Sequence, residues 1–66
     1  MNIGNKKLKQ LMAKKSLSQS ELARRTNVPQ PTINRMLSGI TKQPKYTTAL
    51  ALANYFQVTT DEIFQG

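Results

Sequence analysis

The chain has 66 residues, which supports one small domain with a modest hydrophobic core, predicted over residues 1–66. Because cysteine is absent, disulfides and thiolate metal sites are excluded, and no apolar run approaches the roughly 20 residues that cross a bilayer. Ten lysine and arginine residues against three acidic ones give a net charge of +7, which favours a polyanionic partner. We therefore expect a cytoplasmic protein that does not contact a membrane.

Two amphipathic helices are predicted in the first part of the chain. The first covers residues 5–15, where Leu8, Leu11 and Met12 recur at helical spacing among lysines. The second covers residues 19–26, with its arginines on the outer face. Both helices need a partner for their apolar faces, so we expect them to pack in one core.

The two ends of the second helix carry local signals. Ser18 and Glu21 have the spacing of a capping box, in which the hydroxyl accepts a backbone N–H and the carboxylate reaches back. Asn27 follows where the chain must reverse, and asparagine tolerates the left-handed backbone region. The small Ala23 allows another helix to cross closely, so the sequence predicts a helix–turn–helix.

A third helix is predicted over residues 30–37. Pro31 fits only in the first turn of a helix and favours an extended backbone at the preceding residue, which makes Gln30 the predicted N-cap. The core-facing residues are Ile33, Met36 and Leu37, and the outer face presents Gln30, Pro31, Asn34, Arg35 and Ser38.

Two further helices complete an all-α fold. The fourth is predicted from Thr47 to Gln57, with Thr47 or Thr48 as its cap. Its apolar stripe consists of Ala49, Leu52, Ala53 and Phe56. Thr59 and Glu62 have the spacing of a second capping box, at the start of a short last helix.

The exposed side chains at the start of the third helix suit the edges of DNA bases. The major groove admits an α-helix with its N-terminal residues against the bases. Gln30 can pair bidentately with adenine, and Pro31 offers apolar atoms to a thymine methyl group. Arg35 can fork onto guanine or bind a phosphate instead. Asn34 is a further base-reading candidate, and a solvated side chain explains it equally well.

A second group of polar residues suits the sugar-phosphate backbone. Gln19, at the start of the second helix, can meet a phosphate and can also orient Gln30. Lys42 and Lys45 follow the third helix, where a cation meets the DNA backbone or a narrow minor groove. The alternative for both lysines is an ordinary solvated side chain.

The sequence contains few residues that could act in catalysis. Histidine and cysteine are absent, and the adjacent Asp61 and Glu62 fall in the first turn of a helix, where acids interact favourably with the helix dipole. Neither a glycine-rich phosphate loop nor metal-ligand spacing occurs. We therefore predict a protein that is not an enzyme and that has no cofactor, metal or small-molecule substrate.

The stretch from Gln19 to Gly39 closely resembles the helix–turn–helix of lambdoid phage repressors and Cro proteins, which belong to a wider group of small regulators from phages and bacteria. The resemblance rests on Leu17, Gln19, Leu22, Ala23, Val28, Ile33 and Gly39. It implies a compact five-helix lambda-repressor-like domain, with the helix–turn–helix formed by helices 2 and 3. It also implies a repressor that binds a near-palindromic double-stranded DNA operator as a homodimer, which we expect to be weak alone and stronger on DNA.

The resemblance assigns roles to single residues as well. The residues implied to touch phosphates are Gln19, Ser18 and Ser38, and those implied to face the bases are Pro29, Gln30, Pro31 and Arg35. It further implies a third helix that begins about one residue earlier than Pro31 alone suggests.

Some features leave room for variation within this resemblance. Met12 and Leu37 stand where some relatives have a buried arginine–glutamate pair, and such an apolar replacement can be neutral or stabilising. An antitoxin or a protein-interaction adaptor on the same fold is the alternative function. The candidate dimer contacts are Val58, Ile63 and Phe64.

Overall fold

Five α-helices make up most of the computed structural model, which describes residues 4–41 and 43–65. They are α1 (Lys6–Lys14), α2 (Gln19–Thr26), α3 (Gln30–Ser38), α4 (Tyr46–Phe56) and α5 (Thr60–Gln65). The predicted all-α fold, with the helix–turn–helix in α2 and α3, is confirmed.

One hydrophobic core lies between the helices. α3 packs against α1 and α2, and α5 packs against α1 and α4. The buried side chains of the core are Leu8, Met12, Leu22, Val28, Ile33, Met36, Ala49, Leu52, Ala53, Phe56 and Ile63. In residues 4–41 and 43–65 no polar or charged residue is buried, so no desolvated charge opposes folding there.

The C-terminal part of the core corrects one prediction. Ile63 has no exposed surface in the protomer, so its prediction as a dimer contact is wrong. The apolar side chain of Ile63 packs α5 onto the core instead. Val58 and Phe64 are half-buried against the same core and retain surface for a partner.

The two predicted capping boxes have different outcomes. At α5 the box is complete, because the Glu62 N–H donates to Thr59 Oγ1 at 3.2 Å and the Thr59 N–H donates to Glu62 Oε2 at 2.9 Å. At α2, the Glu21 N–H donates to Ser18 Oγ at 3.2 Å. The Glu21 carboxylate, however, binds arginines of α2 instead of reaching back. This half of the prediction is wrong because a guanidinium offers stronger, charge-assisted hydrogen bonds.

The start of α4 also differs from its prediction. Lys45, with φ −58° and ψ 148°, precedes the first helical residue, and its carbonyl accepts the Ala49 N–H at 3.0 Å. The helix therefore already begins at Tyr46, without a side-chain cap. Thr47 and Thr48 lie inside its first turn, so the prediction that one of them is the cap is wrong.

Asn5 joins three helices, α1, α3 and α5, through its hydrogen bonds. Its Oδ1 accepts the Leu8 N–H at 2.9 Å and caps α1. Its Nδ2 donates to the Ile63 carbonyl of α5 at 2.8 Å. Its backbone N–H donates to the Met36 carbonyl at 2.9 Å, which supplies a partner to one of the last carbonyls of α3. One residue thus fixes the C-terminal end of α3.

Candidate nucleic-acid interface

Asn27 reverses the chain between α2 and α3. Its φ of 62° lies in the left-handed region, as predicted, and its N–H donates to the Ala23 carbonyl at 2.9 Å. Thr26 Oγ1 donates to the Leu22 carbonyl at 2.7 Å within the same turn. Val28 is buried beneath it with 4% of its surface exposed. Together these contacts fix the direction in which α3 begins.

Pro29 occupies the N-cap position of α3, with φ −55° and ψ 137°, and Gln30 is the first helical residue. The Pro29 carbonyl accepts the Thr32 N–H at 3.0 Å and the Ile33 N–H at 3.2 Å. The prediction of Gln30 as the N-cap is therefore wrong, and the earlier start implied by the resemblance is confirmed. The fixed φ of its ring suits Pro29 to the N-cap position. Pro31 disfavours a helical backbone at Gln30, but these hydrogen bonds outweigh that preference.

The exposed face of α3 and the start of α2 form a shallow groove. The residues that line it are Gln19, Gln30, Pro31, Asn34, Arg35 and Ile40. All of them except Ile40 are predicted site residues. Pro29, also exposed, precedes Gln30 at the tip of α3. The structure thus places the candidate base-reading residues along one continuous surface.

Gln19 contacts Asn34 in this groove. Asn34 Nδ2 donates to Gln19 Oε1 at 3.3 Å. Asn34, one turn further along α3, is thus the partner of the Gln19 oxygen, and the orientation of Gln30 by Gln19 stays a prediction. The bond uses the Gln19 oxygen and keeps the Gln19 Nε2 hydrogens available to an anion.

The two serines with predicted phosphate contacts make local hydrogen bonds. Ser18 Oγ caps α2 and lies 3.3 Å from Ser20 Oγ, so either hydroxyl can be the donor. Ser38 Oγ donates to the Asn34 carbonyl at 2.7 Å. Because a phosphate accepts hydrogen bonds, Ser38 must rotate out of this bond before it can donate to one. When Ser20 is the donor, the hydroxyl hydrogen of Ser18 remains available to a phosphate.

The arginines of the helix–turn–helix differ in their partners. Hydrogen bonds from Arg24 and Arg25 hold the pKa of the Glu21 carboxyl below its ordinary value, and the bond to Glu21 raises the pKa of Arg25. Within the described residues, no carboxylate pairs with Arg35. Its exposed guanidinium therefore keeps its donors for a ligand in the groove.

The loop after α3 contributes one described cation. Lys45 is exposed at the N-cap of α4, whereas Lys42 lies outside the described residues. Across residues 4–41 and 43–65, no cluster of three potential acidic, cysteine or histidine metal ligands occurs. In the same part of the chain, no helix has the length and apolar character that crossing a bilayer requires.

The helix–turn–helix family model matches residues 8–63, from α1 through α5. The chain belongs to the Cro/C1-type helix–turn–helix family. An "uncharacterized HTH-type transcriptional regulator" of Coxiella burnetii is 41% identical over 56 residues, which cover 85% of this chain and 26% of that protein. The chain thus spans about a quarter of the length of this curated relative. No solved structure matches it.

Ile40 is the groove residue of this Cro/C1-type chain that the sequence analysis missed. It follows Gly39, which ends α3 with φ 83°. A large apolar residue after such a glycine commonly packs back onto the helix, but 72% of Ile40 is exposed. The available signal was a bulky apolar side chain directly after the outward-facing residues of α3.

Proposed function

We propose that this protein is a sequence-specific transcriptional regulator that binds double-stranded DNA with α3 in the major groove. Membership of the Cro/C1-type family supports a DNA-binding regulator. The observation that carries the proposal is the groove in which Gln30, Pro31 and Arg35 line one exposed surface. The net charge of +7 supplies a sequence-independent attraction to phosphates.

Gln30 and Arg35 read different base pairs in this arrangement. Five residues along an α-helix advance about 7.5 Å, which corresponds to roughly two base-pair steps. Gln30 pairs with the N6 and N7 positions of an adenine, and Arg35 forks onto the O6 and N7 positions of a guanine. Pro29 and Pro31 have no N–H and contribute apolar contact only.

A second set of residues holds the DNA backbone. Gln19 donates to a phosphate from its side-chain amide and from its backbone N–H, which lies at the start of α2. Asn34 holds the Gln19 side-chain amide in place. Ser18 donates beside it, and Lys45 contributes charge from the start of α4. Ser38 and Lys42 complete the list of proposed phosphate contacts.

We also propose a homodimer on a near-palindromic operator. The two copies of α3 then enter successive major grooves about 34 Å apart. Bound at a promoter, such a dimer represses transcription by occluding RNA polymerase. Tyr46 and Leu50, exposed in α4, and the half-buried Val58 and Phe64 offer only limited apolar surface, so association is weak without DNA. Sedimentation velocity tests this: a monomer both alone and on an operator duplex would contradict the dimer.

Selection of bound molecules from random-sequence duplexes is the direct test. We expect enriched sites with two symmetry-related half-sites, each with a preferred adenine and guanine. Affinity for the enriched duplex should decrease steeply with salt, since several phosphates are neutralised. The absence of any enriched sequence, together with a flat salt response, would contradict DNA binding.

A further inference from the structure

We infer that Ile40 contacts the C5 methyl group of a thymine next to the base pair that Arg35 reads. This inference rests on the proposed DNA-binding function and adds a specificity determinant to it. Three observations support it: the exposure of Ile40, its place in the groove and its connection to Arg35.

The exposure of Ile40 is unusual for this chain. The residue is 72% exposed, the largest value among the exposed large apolar residues of the described ranges. Exposed apolar surface is removed from water only when a partner covers it. The groove residues around Ile40 are polar or charged except Pro31, so they do not provide that cover in the protein alone.

The backbone holds Ile40 beside the base-reading residues. The Thr41 N–H donates to the Arg35 carbonyl at 3.2 Å, which folds the chain back onto the last turn of α3. Gly39, at φ 83°, sets the preceding bend. Ile40 lies between these two constraints and lines the same groove as Arg35.

In the major groove, a base pair that contains thymine presents an apolar group, the C5 methyl of the thymine. Gln30 and Arg35 recognise hydrogen-bonding atoms and cannot select for a methyl group. An aliphatic side chain beside Arg35 has the complementary chemistry. Covering one methyl group should strengthen binding roughly three- to fivefold.

The test removes the methyl group from the DNA and the side chain from the protein. The duplex most enriched by selection is prepared with each thymine replaced in turn by deoxyuridine, which keeps the base-pair hydrogen bonds. At one or two positions per half-site, this replacement should lower the DNA affinity of the wild-type protein about three- to fivefold. These positions should adjoin the base pair whose preference is lost in Arg35→Ala.

The same duplexes are then measured with Ile40→Ala. We expect this variant to bind the thymine and deoxyuridine duplexes equally at those positions, and to retain the wild-type circular dichroism spectrum because the side chain is exposed. Asn54→Ala, which alters an exposed residue of α4 outside the groove, should keep the wild-type response.

The outcomes separate the two proposals. Equal deoxyuridine effects in the wild type and in Ile40→Ala would overturn the role of Ile40 while specific DNA binding stands. If selection enriches no duplex at all, the proposed DNA-binding function is contradicted and the role of Ile40 is rejected with it.

Discussion

Asn34 Nδ2 donates to Gln19 Oε1 at 3.3 Å across the junction of α2 and α3. The bond connects the residue proposed to hold a phosphate to the helix proposed to read bases. Asn34 is exposed and Gln19 is half-buried, so the contact adds little to folding. Its expected effect is on the register between the DNA backbone and α3.

This contact predicts non-additive effects on DNA affinity. Gln19→Ala should weaken binding to all duplexes by about 0.5–1.5 kcal/mol, because a hydrogen-bond donor to a DNA phosphate is lost. Asn34→Ala should cost less, and the double variant should bind no worse than Gln19→Ala, since Asn34 acts through Gln19. Fluorescence anisotropy with the selected duplex and a scrambled one measures this. Additive losses, or a loss confined to one base pair in Asn34→Ala, would assign Asn34 to base reading.

Base-reading and phosphate-binding residues should differ in how specificity changes. Gln30→Ala and Arg35→Ala should each cost about 1–3 kcal/mol on the selected duplex and relax the preference at one base pair. Lys45→Ala is the matched control, because its exposed side chain contributes charge alone. It should weaken all sequences alike and reduce the salt slope. A uniform loss in Gln30→Ala would show that its amide does not read a base.

The hydrogen bonds of Asn5 should be measurable in urea denaturation. Asn5→Ala should lower the free energy of unfolding by about 2 kcal/mol, because it removes the cap of α1 and leaves the Ile63 carbonyl without its donor. Asn5→Asp keeps the capping oxygen but sets a second carboxylate oxygen against the Ile63 carbonyl in place of the donor, so we expect a loss of at least about 1 kcal/mol. Asn54→Ala, at an exposed position of α4, is the control. An Asp variant as stable as the wild type would show that the contact with Ile63 contributes nothing.

Glu62 should make the stability of the protein dependent on pH. The hydrogen bond from the Thr59 N–H, assisted by Lys7, holds the pKa of Glu62 below its ordinary value of 4.5. The folded state therefore prefers the carboxylate, and this contribution is complete above the ordinary pKa and is lost as pH falls through the folded-state pKa. Glu62→Gln should lower the Tm at neutral pH, and the difference from the wild type should close as the pH falls below the folded-state pKa of Glu62.

A control and a contrary result accompany this measurement. Asp61→Asn changes the adjacent exposed carboxylate, which makes none of the ion pairs in the described part of the chain. Its Tm should follow the wild-type pH curve more closely. A constant difference between Glu62→Gln and the wild type across the whole pH range would exclude the carboxylate as the cause.

The helices and most of the core were predictable because one local rule decides each of them. Apolar residues at helical spacing locate the core faces, and Asn27 locates the turn. Two of the errors occur where local preferences compete. Glu21 could bind a backbone N–H or two arginines, and the start of α3 depended on two prolines with opposing preferences. Spacing along the chain does not decide between such partners.

Ile40 shows a second limit of sequence reasoning. Whether an apolar residue after a helix-ending glycine packs inward depends on the path of the following loop, and here the Thr41 N–H to Arg35 carbonyl bond sets that path. The groove was predictable residue by residue from the outer face of α3. Its aliphatic member, Ile40, could be identified only from the folded chain.

The bond between Asn5 Nδ2 and the Ile63 carbonyl joins residues 58 positions apart, and this separation has a consequence for protein synthesis. Because synthesis runs from the N-terminus, α1 and α3 are made before the Ile63 carbonyl that Asn5 binds. We therefore expect nascent chains to lack a fixed α3 until translation has passed Ile63.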